Sequence, residues 1–444
     1  MKLWNKSAQL NEKVEQFTIG RDQEFDLQLA RFDIEASMAH TYMLHTLGII
    51  SAEEWLALKP ELFRLHEKAI REELVIHPQV EDIHSQVELE LTQALGELGK
   101  KIHTGRSRND QVLVDLKLFY RAEIQQILER IQELFDLLQS HSEQYKQVLI
   151  PGYTHTQLAM VSSFGLWFGA FAEALVDDVG LFRHAFEVAN QNPLGSAAGY
   201  GSSFPLDRQL TTDLLGFARP DYNVVKAQMG RGKTELTLSY ALAGLATTLN
   251  KLASDAILYC NQQYDLMAFS RAFTTGSSIM PHKKNPDVME LIRGRTAQLM
   301  QLPAQVTTAM ANLTSGYHRD FQLLKEYLFP ALAQTKTVLE LCTLSLADVT
   351  IKAPDLKEEK YKYLFSTEVV NKLVQEGMSF REAYFTISAQ IESGIYEPSY
   401  DIRHTHIGSL GNLCTAQIQN RMRALINSFP FEAIAQKRAA LWAL

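Results

Sequence analysis

Hydrophobic residues along much of this chain recur every three or four positions, which is the period of an α-helix. From Ile124 to Leu138 the apolar side chains form one stripe, and charged side chains such as Glu129 and Arg130 cover the other side. This pattern predicts one long amphipathic helix with a single buried face.

Three later segments are apolar nearly all the way round, and they span residues 164–182, 235–259 and 329–346. A helix with apolar side chains on every face must pack against other protein surfaces on all sides, so these helices are expected inside a bundle or at a subunit interface. Pro330 is suited to the first turn of the third helix. Because strand signals are sparse, the sequence predicts an all-α protein with a central bundle of long helices.

Glycine and proline cluster in four places, which predicts the loops that connect these helices. The clusters lie at residues 151–152, 193–205, 276–286 and 315–316. The resulting division has three helical parts. They are an N-terminal domain over 1–111, a central bundle over 112–355 and a C-terminal domain over 356–444.

Composition narrows the class of protein. The chain has 444 residues, of which 46% are hydrophobic, enough for a large core. Its formal net charge of -8 argues against a general nucleic-acid binder but is compatible with a local basic pocket.

The N-terminus carries no apolar signal segment, and the most apolar stretch, Ser163–Val176, contains Glu173 and is too short to span a bilayer. We therefore expect a cytoplasmic protein without a membrane partner.

The three cysteines, Cys260, Cys342 and Cys414, are far apart and form no CxxC pair. This spacing predicts neither a disulfide framework nor a thiolate metal cluster. No histidine or carboxylate spacing typical of metal ligands appears elsewhere. The sequence therefore predicts no metal site.

The most informative loop runs from Gly276 to Asp287, with the sequence GSSIMPHKKNPD. Asn285 suits a helix N-cap, Pro286 the first helical position and Asp287 the first turn. A flexible, hydroxyl-rich loop with two lysines ahead of a helix is well suited to stabilise a developing anion. A solvated linker that happens to contain lysines explains the composition equally well.

Two upstream loops carry further candidate groups. Residues 105–111 read GRSRNDQ, and alternating arginines and amides can present several donors to one carboxylate. Residues 151–157 read PGYTHTQ, in which His155 lies between two threonines and is a candidate acid or base. An exposed turn and a structural histidine are the alternatives that composition leaves open.

Together these loops resemble the fumarase/aspartase superfamily. Its fingerprint, Gly-Ser-x-x-Met-x-x-Lys-x-Asn, matches Gly276 to Asn285 at every fixed position. Within that superfamily the motif HTGRSRNDQ at 103–111, and the segments around 317–325 and 366–383, resemble the argininosuccinate lyase family. The resemblance spans nearly the whole chain.

This resemblance implies a three-domain helical fold and a homotetramer whose active sites are shared among subunits. It also implies reversible β-elimination of argininosuccinate to arginine and fumarate, without a cofactor, as the last step of arginine biosynthesis. The implied catalytic residues are Ser277 as base, His155 with Glu290 as an acid/base dyad, and Lys283 holding the intermediate. The implied substrate-binding residues are Ser37, Arg108, Asn109, Thr154, Asn285, Tyr317, Gln322 and Lys325. Asp82 and His84 match positions near the pocket.

One departure from the family pattern concerns the substrate. Residues 229–233 read MGRGK where an Asp-Arg-Asp segment is usual, which leaves an N-acylated argininosuccinate open as an alternative. Other hypotheses are an adenylosuccinate lyase, a structural protein derived from a lyase, and a scaffold that binds arginine without turnover. The complete Arg106–Gln111 motif argues against the first of these, and the complete set of implied catalytic residues favours an active enzyme.

Overall fold

The computed structural model describes residues 11–77 and 79–444. Helices account for most of this part of the chain, as the hydrophobic periodicity predicts. The N-terminal helices are α1 (Glu12–Ile19), α2 (Asp22–Thr46), α3 (Ala52–Ile70), α4 (Ile83–Leu95) and α5 (Glu97–Lys100). The central helices are α6 (Arg108–Gln144), α7 (Phe164–Ala189), α8 (Arg208–Leu214), α9 (Val224–Met229), α10 (Lys233–Tyr259), α11 (Asp287–Met300), α12 (Leu302–Ala309) and α13 (Leu323–Ala347). The C-terminal helices are α14 (Ser366–Gln375), α15 (Phe380–Glu392), α16 (Thr415–Ile426) and α17 (Phe431–Ala443).

Strands in the described residues are short and occur in three pairs. They are β1 (Leu149–Thr154) with β2 (Gln157–Ser163), β3 (Gln191–Asn192) with β4 (Arg219–Pro220), and β5 (Met267–Ala268) with β6 (Thr350–Ile351). The first pair is an antiparallel hairpin whose strands are joined by two residues, His155 and Thr156. The third pair is also antiparallel, and β3 pairs with β4 in parallel.

The long central helices form the bundle predicted from the sequence. Helix α6 packs against α7 and α13, and α10 packs against α7 and α11. The predicted stripe from Ile124 to Leu138 is buried on α6, and α6 itself extends over 37 residues, a length of roughly 55 Å. A separate small core forms around Val370 and Tyr396 in the C-terminal part.

Two local predictions were wrong. Pro330 lies well inside α13, because that helix already begins at Leu323. The N-cap of α11 is Pro286, so Asn285 lies just outside the helix and pairs with Thr275 in an isolated antiparallel bridge. The predicted three-domain division stays a proposal, and its first boundary falls within the first turn of α6.

No helix among residues 11–77 and 79–444 combines the length and the apolar character that a membrane crossing requires.

Candidate active site

A groove of about 350 Å³ lies where the start of α6 meets the N-terminal helices and the segment before α13. Its lining is mostly charged and polar. The lining residues are Ile19, Asp22, Asp26, Glu81, Asp82, His84, Arg108, Asn109, Val112, Arg231, Tyr317, Arg319, Gln322 and Lys325. A groove with this lining suits a small, highly charged molecule.

Five of the predicted substrate-binding residues meet in this groove: Arg108, Asn109, Tyr317, Gln322 and Lys325. Asp82 and His84 also line it. Residues 108–109 and 317–325 are far apart in sequence, so the folded chain brings together segments that only the family resemblance had linked.

Arg108 is held by carboxylates on the opposite segment. Its Nη1 lies 2.9 Å from Glu81 Oε2 and 3.3 Å from Asp82 Oδ2, and its Nη2 donates to Ser85 Oγ at 2.6 Å. Arg319 reaches the same Glu81 side chain, with 2.7 Å between Nη2 and Oε1. Two guanidinium groups therefore share one carboxylate at the groove, a geometry that also suits a carboxylate of a ligand.

Lys325 forms a largely buried charge cluster in the groove. Its Nζ lies 2.5 Å from Asp22 Oδ1 and 2.6 Å from Asp26 Oδ1, although only 4% of its side chain is exposed. Burial lowers the pKa of Lys325, but the two carboxylates outweigh burial and raise the pKa above its ordinary value. Burial raises the pKa of Asp22 to about 6 even though Lys325 opposes that shift.

His84 is the point where the groove meets a buried polar cluster. Its Nδ1 lies 2.8 Å from Asp33 Oδ1 and 3.5 Å from Asp115 Oδ2. Burial would lower the pKa of His84, but the carboxylates of Asp33, Asp82 and Asp115 raise it to about 10. The imidazole therefore carries a proton at neutral pH, and its positive charge is paired with these buried carboxylates.

The same three side chains are the group among the described residues that could hold a metal ion. The ligand atoms of Asp33, His84 and Asp115 all lie within 4.8 Å of one another. The proton on His84 already supplies positive charge to this cluster, and Arg106 supplies more from nearby. These charges offset part of the negative charge of the two carboxylates.

Ser37 lies away from this groove lining. It is fully buried on α2, where its hydroxyl accepts a hydrogen bond from Arg106 Nη1 at 3.0 Å. In the described chain Ser37 supports the loop that contains Arg108 and Asn109. Its predicted contact with the substrate stays a prediction.

Asp110 fixes the loop that ends in Arg108 and Asn109. It is fully buried, and its Oδ1 accepts a hydrogen bond from the Ser107 backbone N–H at 2.8 Å. Its Oδ2 accepts two more, from Gly195 N–H at 3.0 Å and Ala197 N–H at 2.9 Å. One carboxylate thus caps α6 and joins two glycine-containing loops.

The loop from Gly276 to Lys284 is closed at its base by the bridge between Thr275 and Asn285. Within the loop, Ser277 Oγ accepts hydrogen bonds from Ile279 N–H at 3.4 Å and Met280 N–H at 3.1 Å. Two N–H groups directed at one hydroxyl oxygen stabilise negative charge on that oxygen, as a serine base requires. Lys283 on the same loop is exposed.

His155 and Thr154 lie at the tip of the β1–β2 hairpin, and both are exposed. His155 and Thr156 have φ angles of 53° and 60°, in the left-handed region that most side chains avoid. Glu290 is exposed on the first turn of α11. In the single chain, these residues and the Ser277 loop do not line the groove around Arg108 and Lys325.

Several groove residues were not predicted from the sequence: Asp22, Asp26, Glu81, Arg231 and Arg319. Arg319 lies inside the segment 317–325 that carries part of the family resemblance, and this position was the available signal. Arg231 lies in the divergent segment 229–233. Asp22 and Asp26 are four residues apart on α2, but nothing in their sequence context distinguishes them from other acidic residues.

Comparisons with known proteins identify the family of this chain. Residues 1–301 match the family described as "Lyase". An argininosuccinate lyase from Parabacteroides distasonis is 52% identical over 440 residues, which cover 99% of each protein. Another from Thermotoga neapolitana is 36% identical over 383 residues, covering 86% of this chain and 96% of that protein.

Solved structures agree in fold. An EDDS lyase in complex with formate superimposes with a TM-score of 0.76 at 22% identity, covering 98% of this chain and 95% of that one. A class II fumarase from Schistosoma mansoni superimposes with a TM-score of 0.69 at 16% identity, covering 94% and 95%. The predicted all-α fold of the fumarase/aspartase type is confirmed.

Proposed function

The chain belongs to the argininosuccinate lyase family. We propose that the groove acts together with two exposed segments, the tip of the β1–β2 hairpin and the segment from Gly276 to Glu290, to split argininosuccinate into arginine and fumarate. This is a carbon–nitrogen lyase reaction that ends arginine biosynthesis. The observation that carries the proposal is likeness to argininosuccinate lyases at 52% identity over nearly the whole chain. The mixed charge of the groove supports it, because the substrate carries carboxylates, an ammonium group and a guanidinium group.

In the proposed reaction, Ser277 Oγ removes a proton from the carbon next to a carboxylate of the succinyl part. The electron pair of that C–H bond moves into the carboxylate, where Lys283 and Asn285 stabilise the added charge. The C–N bond then breaks, the nitrogen takes up a proton and fumarate remains. Donors that stabilise charge only as it develops lower the barrier without tightening substrate binding.

Ser277 needs help to act as a base, since an alcohol in water holds its proton strongly. The two backbone N–H groups that donate to its Oγ supply part of that help. His155 and Glu290 form the proposed acid/base dyad. The groove residues Arg108, Asn109, Tyr317, Gln322 and Lys325 are proposed to bind the substrate, together with Thr154 and Asn285 from the exposed segments and with Ser37.

We further propose a homotetramer in which one active site draws residues from different subunits. Support comes from the exposure of His155, Lys283 and Glu290 in the single chain, although the family resemblance gives all three a role in chemistry. The loop that contains Lys283 also has two exposed apolar side chains, Ile279 at 83% and Met280 at 37%, which would be buried at such an interface.

A cytoplasmic location is proposed as well. All three cysteines are free thiols, as expected of a protein in a reducing compartment.

The decisive experiment is fumarate release followed by ultraviolet absorbance, with argininosuccinate and adenylosuccinate as parallel substrates. Turnover of argininosuccinate alone is expected. Turnover of adenylosuccinate instead would assign the chain to the rival enzyme class, and turnover of neither would favour a structural or arginine-binding role.

Subunit sharing is tested by mixing two inactive variants, Arg108→Gln in the groove and Ser277→Ala in the exposed loop. After subunit exchange some sites would contain neither substitution, so part of the activity should return. Each variant mixed with itself is the control. No recovery after exchange has been verified by native mass spectrometry would contradict the shared arrangement.

A further inference from the structure

The groove contains two clusters of charge with different balances. In the first, Lys325 lies between Asp22 and Asp26, so two carboxylates face one ammonium group. Arg231 is also near Asp22, but Arg231 is paired with buried Glu235, with 3.0 Å between Nε and Oε1. The first cluster therefore keeps a net negative charge.

In the second cluster the positive and negative charges balance. Arg108 and Arg319 face Glu81 and Asp82, so these four charges cancel. The protonated imidazole of His84 lines the same surface, but it is paired with buried Asp33 and therefore adds no net charge to the second cluster. A cationic group of a ligand is therefore attracted to the first cluster, whereas the guanidinium groups of the second cluster can donate hydrogen bonds to carboxylates of a ligand.

The two carboxylates of the first cluster differ in what they can still bind. Asp26 is 2% exposed and is fully occupied, because Oδ1 contacts Lys325 and Oδ2 accepts the Ile83 N–H at 3.3 Å. The side chain of Asp22 is 20% exposed, and Lys325 is its only ion-pair partner within residues 11–77 and 79–444. Its second oxygen is therefore available to a ligand in the groove.

We propose that Asp22 binds the α-ammonium group of the arginine part of the substrate, so that the groove selects free argininosuccinate over its Nα-acylated form. This inference rests on the proposed function and names the group that one residue recognises. Acylation removes the positive charge and one or more N–H donors and adds bulk. A site built to hydrogen-bond a substrate N–H discriminates strongly against analogues that lack it, because its own polar group is left without a partner.

The inference also answers the question raised by the divergent segment at 229–233. Arg231 from that segment is engaged by Glu235 and by the carbonyl oxygen of Phe321, at 2.8 Å from Nη2. With these partners and only 5% of the residue exposed, Arg231 presents little surface to the carboxylate of a succinyl or other acidic acyl group. The surplus charge beside it is negative, which favours an ammonium group over an acylated nitrogen.

The test compares argininosuccinate with Nα-acetylargininosuccinate for three proteins: wild type, Asp22→Asn and Glu24→Gln. Glu24 is a matched control, since it is an exposed carboxylate on the same helix that pairs with Arg21. Wild type should prefer the free substrate at least about tenfold in kcat/KM. Asp22→Asn should raise KM for the free substrate about 10- to 100-fold, as expected for loss of a charged hydrogen bond, and leave the acetylated substrate nearly unchanged. Glu24→Gln should behave as wild type.

Calorimetric binding of arginine and Nα-acetylarginine gives a readout that does not depend on turnover. Wild type should bind arginine more tightly, and Asp22→Asn should lose that preference. Failure of the proposed function would appear as absence of fumarate from wild type, while this binding comparison still decides the role of Asp22.

Three results would overturn the inference. One is a wild-type protein that does not distinguish free from acetylated ligands, which can be seen without any variant. Another is an equal decrease in kcat/KM for both substrates in Asp22→Asn, which would mean that Asp22 binds the guanidinium group or interacts only with Lys325. The third is an Asp22→Asn protein with unchanged discrimination. Circular dichroism of each variant separates these results from misfolding.

Discussion

Replacement of Lys325 by methionine should destabilise the protein in a way that depends on pH. Methionine keeps most of the apolar stem and removes the charge. Removing one partner from a buried ion pair costs about 3–5 kcal/mol, because the remaining charge stays buried without compensation. Here Asp22 and Asp26 would both lose the same cation, and Asp26 is almost fully buried. We therefore expect a loss of about 3–5 kcal/mol in the free energy of unfolding near pH 8.

The direction of the pH effect follows from the pKa of Asp22. Burial raises its pKa to about 6 from an ordinary 3.8, and Lys325 limits that rise. A carboxyl group whose pKa is raised by folding contributes stability at low pH and loses it as the pH rises through the folded value. Without Lys325 the folded pKa of Asp22 rises further, so this loss extends to higher pH. The deficit of the variant should be smaller at pH 5, where Asp22 is protonated, than at pH 8.

The measurement is urea unfolding at pH 5 and pH 8, followed by circular dichroism at one fixed protein concentration. Lys352→Met is the control, because its pair with Asp265 is largely exposed, with side chains 41% and 59% accessible, and should contribute less than about 1 kcal/mol. A Lys325→Met deficit under about 1 kcal/mol, or one of equal size at both pH values, would refute the assignment of a buried charge cluster.

The remaining predictions concern the chemistry. Ser277→Ala should lower kcat about 10³-fold, the order of magnitude of a lost proton-transfer group, while arginine still binds in calorimetry; near-normal turnover would remove Ser277 as the base. His155→Asn should also lower kcat by at least about 100-fold, and an unchanged rate would make that histidine structural. Asp110→Asn leaves only one acceptor oxygen for the three N–H groups that donate to the carboxylate in the wild type. The loop around Arg108 should therefore become less ordered, and KM should rise about tenfold. A change confined to kcat or to stability would speak against that positioning role.

The long helices could be predicted from the sequence because their burial is periodic. The stripe from Ile124 to Leu138 identifies α6, and the nearly all-apolar segment from 164 identifies α7. The β1–β2 hairpin was missed, because its strands are short and its two-residue turn, His155-Thr156, contains none of the glycine or asparagine residues that usually mark such turns. The sequence predicts a start of α13 that is too late, because a proline such as Pro330 suits a first turn, whereas this helix contains Pro330 in its interior.

In the candidate site, too, features formed by one continuous segment can be predicted from the sequence, whereas contacts between distant segments cannot. The loop from Gly276 to Asn285 is one continuous motif, so it is visible in sequence. The pairing of Lys325 with Asp22 and Asp26 depends on how α2 packs beside α13, and no local pattern specifies which of many acidic residues meets a given lysine. For this reason the sequence points to Lys325 as a candidate for substrate binding, but it does not point to the carboxylate partners of Lys325.

In the proposed mechanism, the left-handed tip of the hairpin lowers the stability of the backbone and supplies a side chain needed for turnover. A threonine at φ 60° and a histidine at φ 53° each hold a backbone conformation that glycine or asparagine adopts with less strain, at a cost of roughly 1 kcal/mol or more per residue. A laboratory lineage selected only for resistance to heat should therefore drift toward glycine or asparagine at positions 155 and 156. A parallel lineage selected for growth without arginine should retain His155, and divergence between the two lineages would identify this turn as a place where evolution accepts a less stable backbone in exchange for an imidazole.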